Sequence, residues 1–386
     1  MINCNRLDGS ARAVNEVAER LAERHEVHLF ARKVEDVDLS RIHWRKMPGL
    51  PWPAVADFIT YYALAEFRIR ARGFDVIHSV GANTAAANVI TIQNIQPAKR
   101  VFLDAQNASA KVSPARKLTR RLYLDITTRA EAEVYNRRSD RRPPLFLPVS
   151  RGVERELRQY YDIGNAPVRI IPNAADTKVF KPLTLSERNQ WRKKNELGDR
   201  DLLLIYVGGE WKRKGLDLAI RALRQIRDES VKLLVIGRDA EQAKFQSLAA
   251  DCGVSQRVLF LGFRRDVADA MGASDIFVFP SWYEAFSLAT IEAAACGLPI
   301  VATEINGTED FIVPGETGFF IRHEVGHIAA TLSKLLGQES ERRRIGANAR
   351  RLVEQFYTWD RVAQLTEEAY FEYLEYKNGR PRLRNG

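Results

Sequence analysis

Cysteine is scarce in this 386-residue chain. Cys4, Cys252 and Cys296 are odd in number and far apart, which excludes a disulfide frame and the paired spacing of a zinc site. Reduced, structural thiols are expected. Long hydrophobic runs are missing too, since nothing approaches the roughly 18 apolar residues that cross a bilayer, and the amino terminus has no apolar signal core. The expected location is therefore the cytoplasm. Acidic residues are outnumbered, 49 against 59 Lys and Arg, for a formal charge of +10. Such a balance points to an anionic partner: a nucleotide, a phospholipid surface or nucleic acid. The basic stretches lack the aromatic interleaving of a single-strand binder, and no DNA-reading motif is present, so no specific nucleic acid is expected. Neither Walker A spacing nor a strict GxGxxG occurs.

What is present is a repeated strand and helix rhythm in a chain long enough for two domains. In the first half, Asp8-Gly9-Ser10 reads as a glycine turn opening a helix from Ala11 to Arg24. A Rossmann-type half places a strand immediately before such a turn. Only a stub, Met1 to Cys4, stands there, as a late-called start or a cropped sequence would leave it. Val27 to Ala31 reads as a strand, Asp57 to Arg72 as an amphipathic helix, Phe74 to His78 as a strand ending in a histidine, and Asn88 to Ile92 as another strand. Between Val101 and Arg142 the pattern is helical, with cations interleaved among Leu118, Leu122, Tyr123, Leu124 and Ile126. From Lys99 to Arg142 there are twelve Lys and Arg against five Asp and Glu. A solvated helix face and a membrane-surface helix both fit this pattern. Pro144 to Val149 reads as a strand, followed by a helix capped by Ser150.

After a Pro-bearing passage from Asn165 to Pro182 the rhythm restarts. Leu202–Val207, Val231–Ile236, Val258–Leu261, Asp275–Phe279 and Pro299–Thr303 read as strands with helices between them, a doubly wound parallel sheet. The last helices are expected over His327–Phe356 and Trp359–Tyr376.

Two stretches carry chemistry. Gly208-Gly209-Glu210-Trp211-Lys212-Arg213-Lys214-Gly215 joins a strand to a helix, and its glycines and cations suit a diphosphate. A solvated basic turn would look the same in isolation. In Pro280–Gly297, PSWYEAFSLATIEAAACG, a strand ends and a helix begins, with Ser287 as N-cap and Gly297 as the C′ residue. Glu284 lies in the loop and Glu292 on an otherwise apolar helix, where a buried carboxylate needs a hydrogen-bonding partner such as a ribose diol. Helix starts at the carboxyl edge of a parallel sheet bind anions.

YEAFSLATIEAAACGLPIVAT resembles the E-x7-E motif of retaining GT-B glycosyltransferases of family 4, including the hexosyltransferases of the lipopolysaccharide core. VGGEWKRKG is similar to that family's phosphate loop, VLFLGFRRDVADAMGASDIFVFPS to its base-binding strand and the run after it, NGTEDFIVPGETGFFI to its closing segment, PVSRGVEREL to a helix start at the end of the first domain, and IIPNAADTKVFKP to the interdomain passage. The resemblance implies two Rossmann-like domains facing a central cleft. An acceptor-binding domain would span 1–170, with its first strand truncated, and a nucleotide-sugar domain 171–358, while 359–386, a helix and basic tail, returns to the first domain.

It further implies a hexosyltransferase using a nucleotide-diphosphate sugar, UDP-sugar ahead of GDP- or ADP-sugar, with retention and with neither metal nor cofactor. Arg213 and Lys214 would bind the diphosphate, Glu284 the hexose and Glu292 the ribose. Gly208, Gly209, Gly262, Phe263, Phe286, Ser287 and Leu288 would complete the donor site, with Gly9 and Ser10 against the diphosphate. Glu284, Arg213 and Lys214 would carry catalysis. Where the family often has a histidine after the strand ending at Ile92, this chain has Gln93 and Asn94; these and His78 are the acceptor-side residues, although His78 also reads as a structural histidine. Ala174 stands where glycine is usual. The expected acceptor is an envelope glycan or lipid-linked sugar, met at the inner face of the plasma membrane through 99–142. A GT-B nucleotide-sugar epimerase and a non-catalytic basic binding protein are the alternatives.

Overall fold

The structure, a computed structural model, describes residues 3–4, 9–50, 54–70, 72–107, 114–138 and 142–377. It divides into two compact units, one running to Asn173 and resuming at Trp359, the other spanning Ala174–Thr358. The basic tail after Lys377 lies outside the described residues.

The first unit contains β1 (Asn3–Cys4), α1 (Gly9–Leu21), β2 (Val27–Ala31), β3 (Lys33–Val34), β4 (Ile42–Lys46), α2 (Ala54–Arg70), β5 (His78–Val80), β6 (Val89–Ile92), α3 (Gln96–Asn107), α4 (Pro114–Tyr135), β7 (Leu145–Pro148) and α5 (Arg151–Tyr160). Among its described residues all strand pairs are parallel, and they fall into three pieces: β1 with β3, β2 with β4, and β5-β6-β7. The core is divided in the same way. Leu29, Ala31 and Ile42 form one cluster and Met47, Tyr61, Ala65 and Ile69 another. Ser150 caps α5 as expected, its hydroxyl accepting from the Val153 amide.

Two expectations need correcting here. His78 begins β5 instead of ending a strand over Phe74–His78, because the Ile77 amide is taken by the Asn88 side chain at 2.9 Å and pairing with β6 starts one residue later. The run from Val101 to Arg142 holds two helices, α3 and α4; residues 108–113 and 139–141 lie outside the described residues.

The second unit is more regular. It contains α6 (Leu185–Lys194), β8 (Leu202–Val207), α7 (Leu216–Gln225), β9 (Val231–Ile236), α8 (Gln242–Asp251), β10 (Val258–Gly262), α9 (Val267–Gly272), β11 (Ile276–Phe279), α10 (Leu288–Ala295), β12 (Ile300–Thr303), α11 (Thr308–Phe311), β13 (Gly318–Ile321), α12 (Val325–Leu336) and α13 (Glu339–Phe356). Its six strands make one parallel sheet in the order β10-β9-β8-β11-β12-β13. Leu203–Tyr206, Leu233–Val235, Ile276–Phe279 and Ile300–Ala302 are buried, as a sheet covered by helices on both faces requires. The direction of winding reverses between β8 and β11, which opens a crevice at their carboxyl ends.

The helix anticipated over His327–Phe356 is two, broken at Gly337 and Gln338, where α12 ends and α13 begins. Helix α6 was not anticipated. It is set by a capping box in which Thr184 accepts from the Glu187 amide and Glu187 answers to the Thr184 backbone. Helix α14 (Trp359–Lys377) packs in the first unit on α1 and the turn after it, with Arg20–Asp360 and His25–Glu367 pairs.

Candidate active site

The site in the second unit is built where the loops after β8 and β11 meet at the reversal of the sheet. Gly215 makes the meeting possible. Its φ is +71° and a Cβ there would stand 2.0 Å from the Pro280 carbonyl, so a side chain is excluded by both conformation and space. The amide of Trp282 then donates to the Arg213 carbonyl at 2.9 Å, tying one loop to the other.

The loop after β8 is anchored by a residue that the sequence reading passed over. Trp211 is fully buried against Phe245 and Phe260, its indole N–H donates to the Gly208 carbonyl at 2.8 Å, and its backbone amide donates to Asp239 at 2.8 Å. A tryptophan among glycines and cations was the available signal, since a large apolar ring in a polar loop must be packed. Gly237 lets β9 approach, because a Cβ there would meet the Gly208 carbonyl at 2.2 Å. Gly209 runs close by, its Cβ position 3.2 Å from the Arg238 carbonyl.

With both loops held, Arg213, Lys214 and Glu284 converge. Arg213 Nη1 donates to Glu284 Oε1 at 2.9 Å and to the Tyr283 carbonyl, while Nη2 reaches Glu210 Oε2 at 2.7 Å. Lys214 Nζ is 3.5 Å from the same Glu284 oxygen and 5.3 Å from the centre of the Phe279 ring. Ser281, fully buried, lies 3.5 Å from Glu284 Oε1. Burial alone would lower the Arg213 pKa, but Glu284 and Glu210 outweigh it and raise the value, so the guanidinium stays charged. Beneath it the Tyr206 hydroxyl is buried without a hydrogen-bond partner, and burial followed by the charge of Glu284 pushes its pKa well up.

Ser287 caps α10, its hydroxyl accepting from the Thr290 amide at 3.3 Å. The first amides of the helix, from Leu288 on, have no acceptor within the helix. Phe286 is buried in front of them, and Glu292 sits on α10 at 6% exposure. At the far end of the crevice Gly262, at φ +66°, ends β10, and Phe263 is half exposed with the Arg238 guanidinium 5.9 Å above its ring. On the other side Trp282 stacks face to face on His323, centroids 3.7 Å apart, and His323 Nε2 contacts the Ser281 carbonyl at 3.0 Å. One sheet edge thus presents an aromatic with a cation at one end, paired cations and a helix start in the middle, and two carboxylates. This arrangement suits a ligand with a flat ring, a polyanionic centre and hydroxyl groups.

The remaining sequence-based residues lie in the first unit. Gly9 and Ser10 open α1. His78 bonds through its two ring nitrogens to the Tyr370 hydroxyl at 2.5 Å and to Thr91 Oγ1 at 2.7 Å, and burial lowers its pKa to about 4. Gln93 exchanges two amide hydrogen bonds with Asn173, at 3.1 and 3.2 Å, and Asn94 accepts from Gln96 at 3.4 Å. The partners of His78 and the Gln93 amide pair are therefore internal to this unit.

Comparison with known proteins agrees with this geometry. The family model "Glycosyltransferase Family 4" matches residues 7–179 and "Glycosyl transferases group 1" matches 187–352. Among curated relatives, the lipopolysaccharide glucosyltransferase WaaG of Escherichia coli is 32% identical over 43% of this chain and 45% of its own. N-acetyl-alpha-D-glucosaminyl L-malate synthase of Bacillus anthracis is 28% identical over 56% of this chain and 57% of its own. The chain thus spans about half the length of the curated relatives it matches. Its fold is that of WaaG, at TM-score 0.77 and 21% identity over 95% of this chain and 98% of that one. It is also that of Anabaena HepE, solved in complex with UDP and glucose, at TM-score 0.73 and 18% identity over 95% and 98%.

Proposed function

We propose, on the premise that this chain belongs to the family-4 type of GT-B glycosyltransferases, that it moves a hexose from a nucleotide-diphosphate sugar to a glycan or lipid-linked acceptor with retention at the anomeric carbon. The observation that carries this reading is the convergence of Arg213, Lys214 and Glu284 at the reversal of the second sheet, beside the start of α10 and the buried Glu292. Departure of a nucleoside diphosphate builds negative charge, and Arg213, Lys214 and the amides of α10 oppose it where it forms. No divalent ion is required for that. Glu284, paired with Arg213 and Lys214 through one oxygen, presents its other oxygen to a hexose hydroxyl and acts as a positioning group. Glu292 accepts from the ribose, and Phe263 lies against the base.

UDP is the favoured nucleotide, in line with the ligands of HepE. The deciding experiment is a thermal-shift panel of UDP, GDP, ADP and their sugars with and without EDTA. A ligand that binds only the folded protein raises its melting temperature, and UDP-sugars should do so equally in EDTA. A panel without any shift would refute donor binding, and a shift lost in EDTA would refute metal independence. Incubation with donor sugar alone separates transfer from epimerisation, because an epimerase would isomerise it.

The acceptor reading is an envelope glycan met at an anionic membrane surface. It is supported by α4, where Leu118 is 69% exposed and Leu122 is exposed beside Arg120 and Arg121, and by the neighbouring α2, where Phe67 is 76% exposed. No helix among the described residues is long and apolar enough to cross a membrane, so attachment would be peripheral, through apolar side chains and basic charge together. Co-sedimentation with anionic vesicles, released at high salt, is the expected result. Equal binding to neutral vesicles would refute it.

A further inference from the structure

Three of the chain's six histidines, His25, His28 and His43, fall in one short stretch, and the transfer chemistry uses none of them. His25 is paired with Glu367. The other two face each other, because β2 and β4 run in parallel with His28 opposite His43, so both imidazoles leave the same face of the pair. Glu26, two residues before His28, emerges on that face as well, since side chains alternate along an extended chain. Among the described residues, Glu26, His28 and His43 form a group whose ligating atoms all lie within 4.8 Å of one another. Glu26 Oε1 is 2.7 Å from His28 Nε2 and 3.9 Å from His43 Nε2, and the two ring centres are 4.9 Å apart. Ligands about 2.0–2.2 Å from a tetrahedral zinc ion stand about 3.4 Å from each other. That spacing lies between the two measured from Glu26, so small side-chain rotations bring all three groups to coordination distance.

The surroundings suit a ligand set better than a packing contact. Residues opposite each other on two strands are usually held by apolar contact or by opposite charge, and the other face of this pair follows that rule with Leu29 against Trp44. Two imidazoles supply neither, but they do supply two nitrogen donors. His28 is the fixed member, with its side chain 11% exposed and its ring 5.1 Å from that of Phe74. Glu26 and His43 are exposed, which leaves an ion a path of entry and room for water as a fourth ligand. Arg45 is the competitor. Its Nε donates to His28 Nδ1 at 3.2 Å, so His28 Nε2 carries the proton and donates to Glu26. Metal at Nε2 requires the other tautomer, with the proton moved to Nδ1 by exchange with water and Arg45 turned aside.

We propose that Glu26, His28 and His43 bind one divalent transition ion of the zinc class, which clips β2 to β4 in the first unit. Two imidazoles and a carboxylate are the donors such an ion selects, whereas magnesium and calcium take oxygen ligands. The ion takes no part in transfer, since Arg213, Lys214 and Glu284 belong to the second unit.

The test uses the full chain, free of any polyhistidine tag and stripped with EDTA, titrated with zinc chloride in a calorimeter. One ion should bind per chain, and the melting temperature should rise by about 5 °C at a free zinc concentration about a hundred times Kd. Cobalt in place of zinc should give the visible absorption of a four-coordinate ion without a thiolate band, the three cysteines being buried. Glu26→Gln and His43→Asn change exposed side chains, so both variants should fold, and each should weaken zinc binding at least about tenfold. Arg45→Ala removes the competitor and should tighten it. Absence of one-to-one binding would overturn the proposal, as would zinc affinities within about threefold of the parent in both Glu26→Gln and His43→Asn. Weaker binding in Arg45→Ala would do the same.

Discussion

The two units are built from the same alternation of strand and helix, yet one has a continuous six-stranded sheet and the other, among its described residues, three separate parallel pieces. In the second unit the backbone ladder runs unbroken from β10 to β13, and the loops at its carboxyl edge are positioned by glycine contacts and a buried indole. In the first unit much of the holding is done by side chains that bridge elements: Tyr61 on the Phe30 carbonyl, His78 between Thr91 and Tyr370, and Glu131 between Tyr161 and the start of α3. A sheet held by its own ladder is insensitive to pH. One held by buried titratable side chains is not.

The sharpest way to break this contrast is to damage the backbone contact on which the second unit depends. Gly215→Val forces a side chain into the Pro280 carbonyl at a left-handed φ and should cost more than about 4 kcal/mol. Urea unfolding would show this as loss of the second unit's transition, and a change below about 1 kcal/mol would mean that the loops are not locked together. Next in size is Arg213→Ala, which leaves the sheet intact and removes one of the two cations at Glu284. Transfer should fall by about 100- to 1000-fold, the usual cost of one charge-stabilising donor, with unfolding changed far less. Rates within threefold of the parent would remove Arg213 from the chemistry.

The pH dependence sharpens the other side of the comparison. Burial lowers the pKa of His78 from 6.5 to about 4, so the unfolded chain takes up the proton first. The stability this group supports is full above pH 6.5 and is lost as pH falls toward 4. Burial raises the pKa of Glu131 from 4.5 to about 7, so its contribution is full below pH 4.5 and is lost as pH rises toward 7. Each is worth up to about 3 kcal/mol, and between pH 4.5 and 6.5 they nearly cancel. His78→Gln should therefore expose a decline in stability with rising pH across that window, and Glu131→Gln a rise. Urea midpoints measured from pH 4 to 8 read both slopes, and parallel profiles for the two variants would contradict the assignment. The smallest effect expected is that of Ser287→Ala, about 1 kcal/mol from the lost cap of α10, together with weaker UDP binding in the same thermal-shift assay.

Much of the second unit could be read before folding, because LLLIYV, VKLLVI, DIFVF and PIVAT are apolar runs of strand length broken by glycine and proline. Strand β4, Ile-His-Trp-Arg-Lys, could not, since only Ile42 in it is buried and its cations mask the period. Helix α6 was hidden for a similar reason: LSERNQWRKK is almost wholly polar, and only its capping box marks it. The break between α12 and α13 rests on Gly337 alone, which a helix can also tolerate internally.

Local chemistry along the chain determined which residues gather at a sheet edge. The glycine and cation loop, the Ser287 cap and the two glutamates are short-range patterns whose meaning survives without a fold. Only the tertiary structure decided that Glu284 is paired with Arg213 and Lys214, that Trp211 and Asp239 hold the loop beneath them, and that His78 is shared between Thr91 and Tyr370. These are contacts between segments tens of residues apart. Their energies depend on distance, burial and shared partners, and no local period records them.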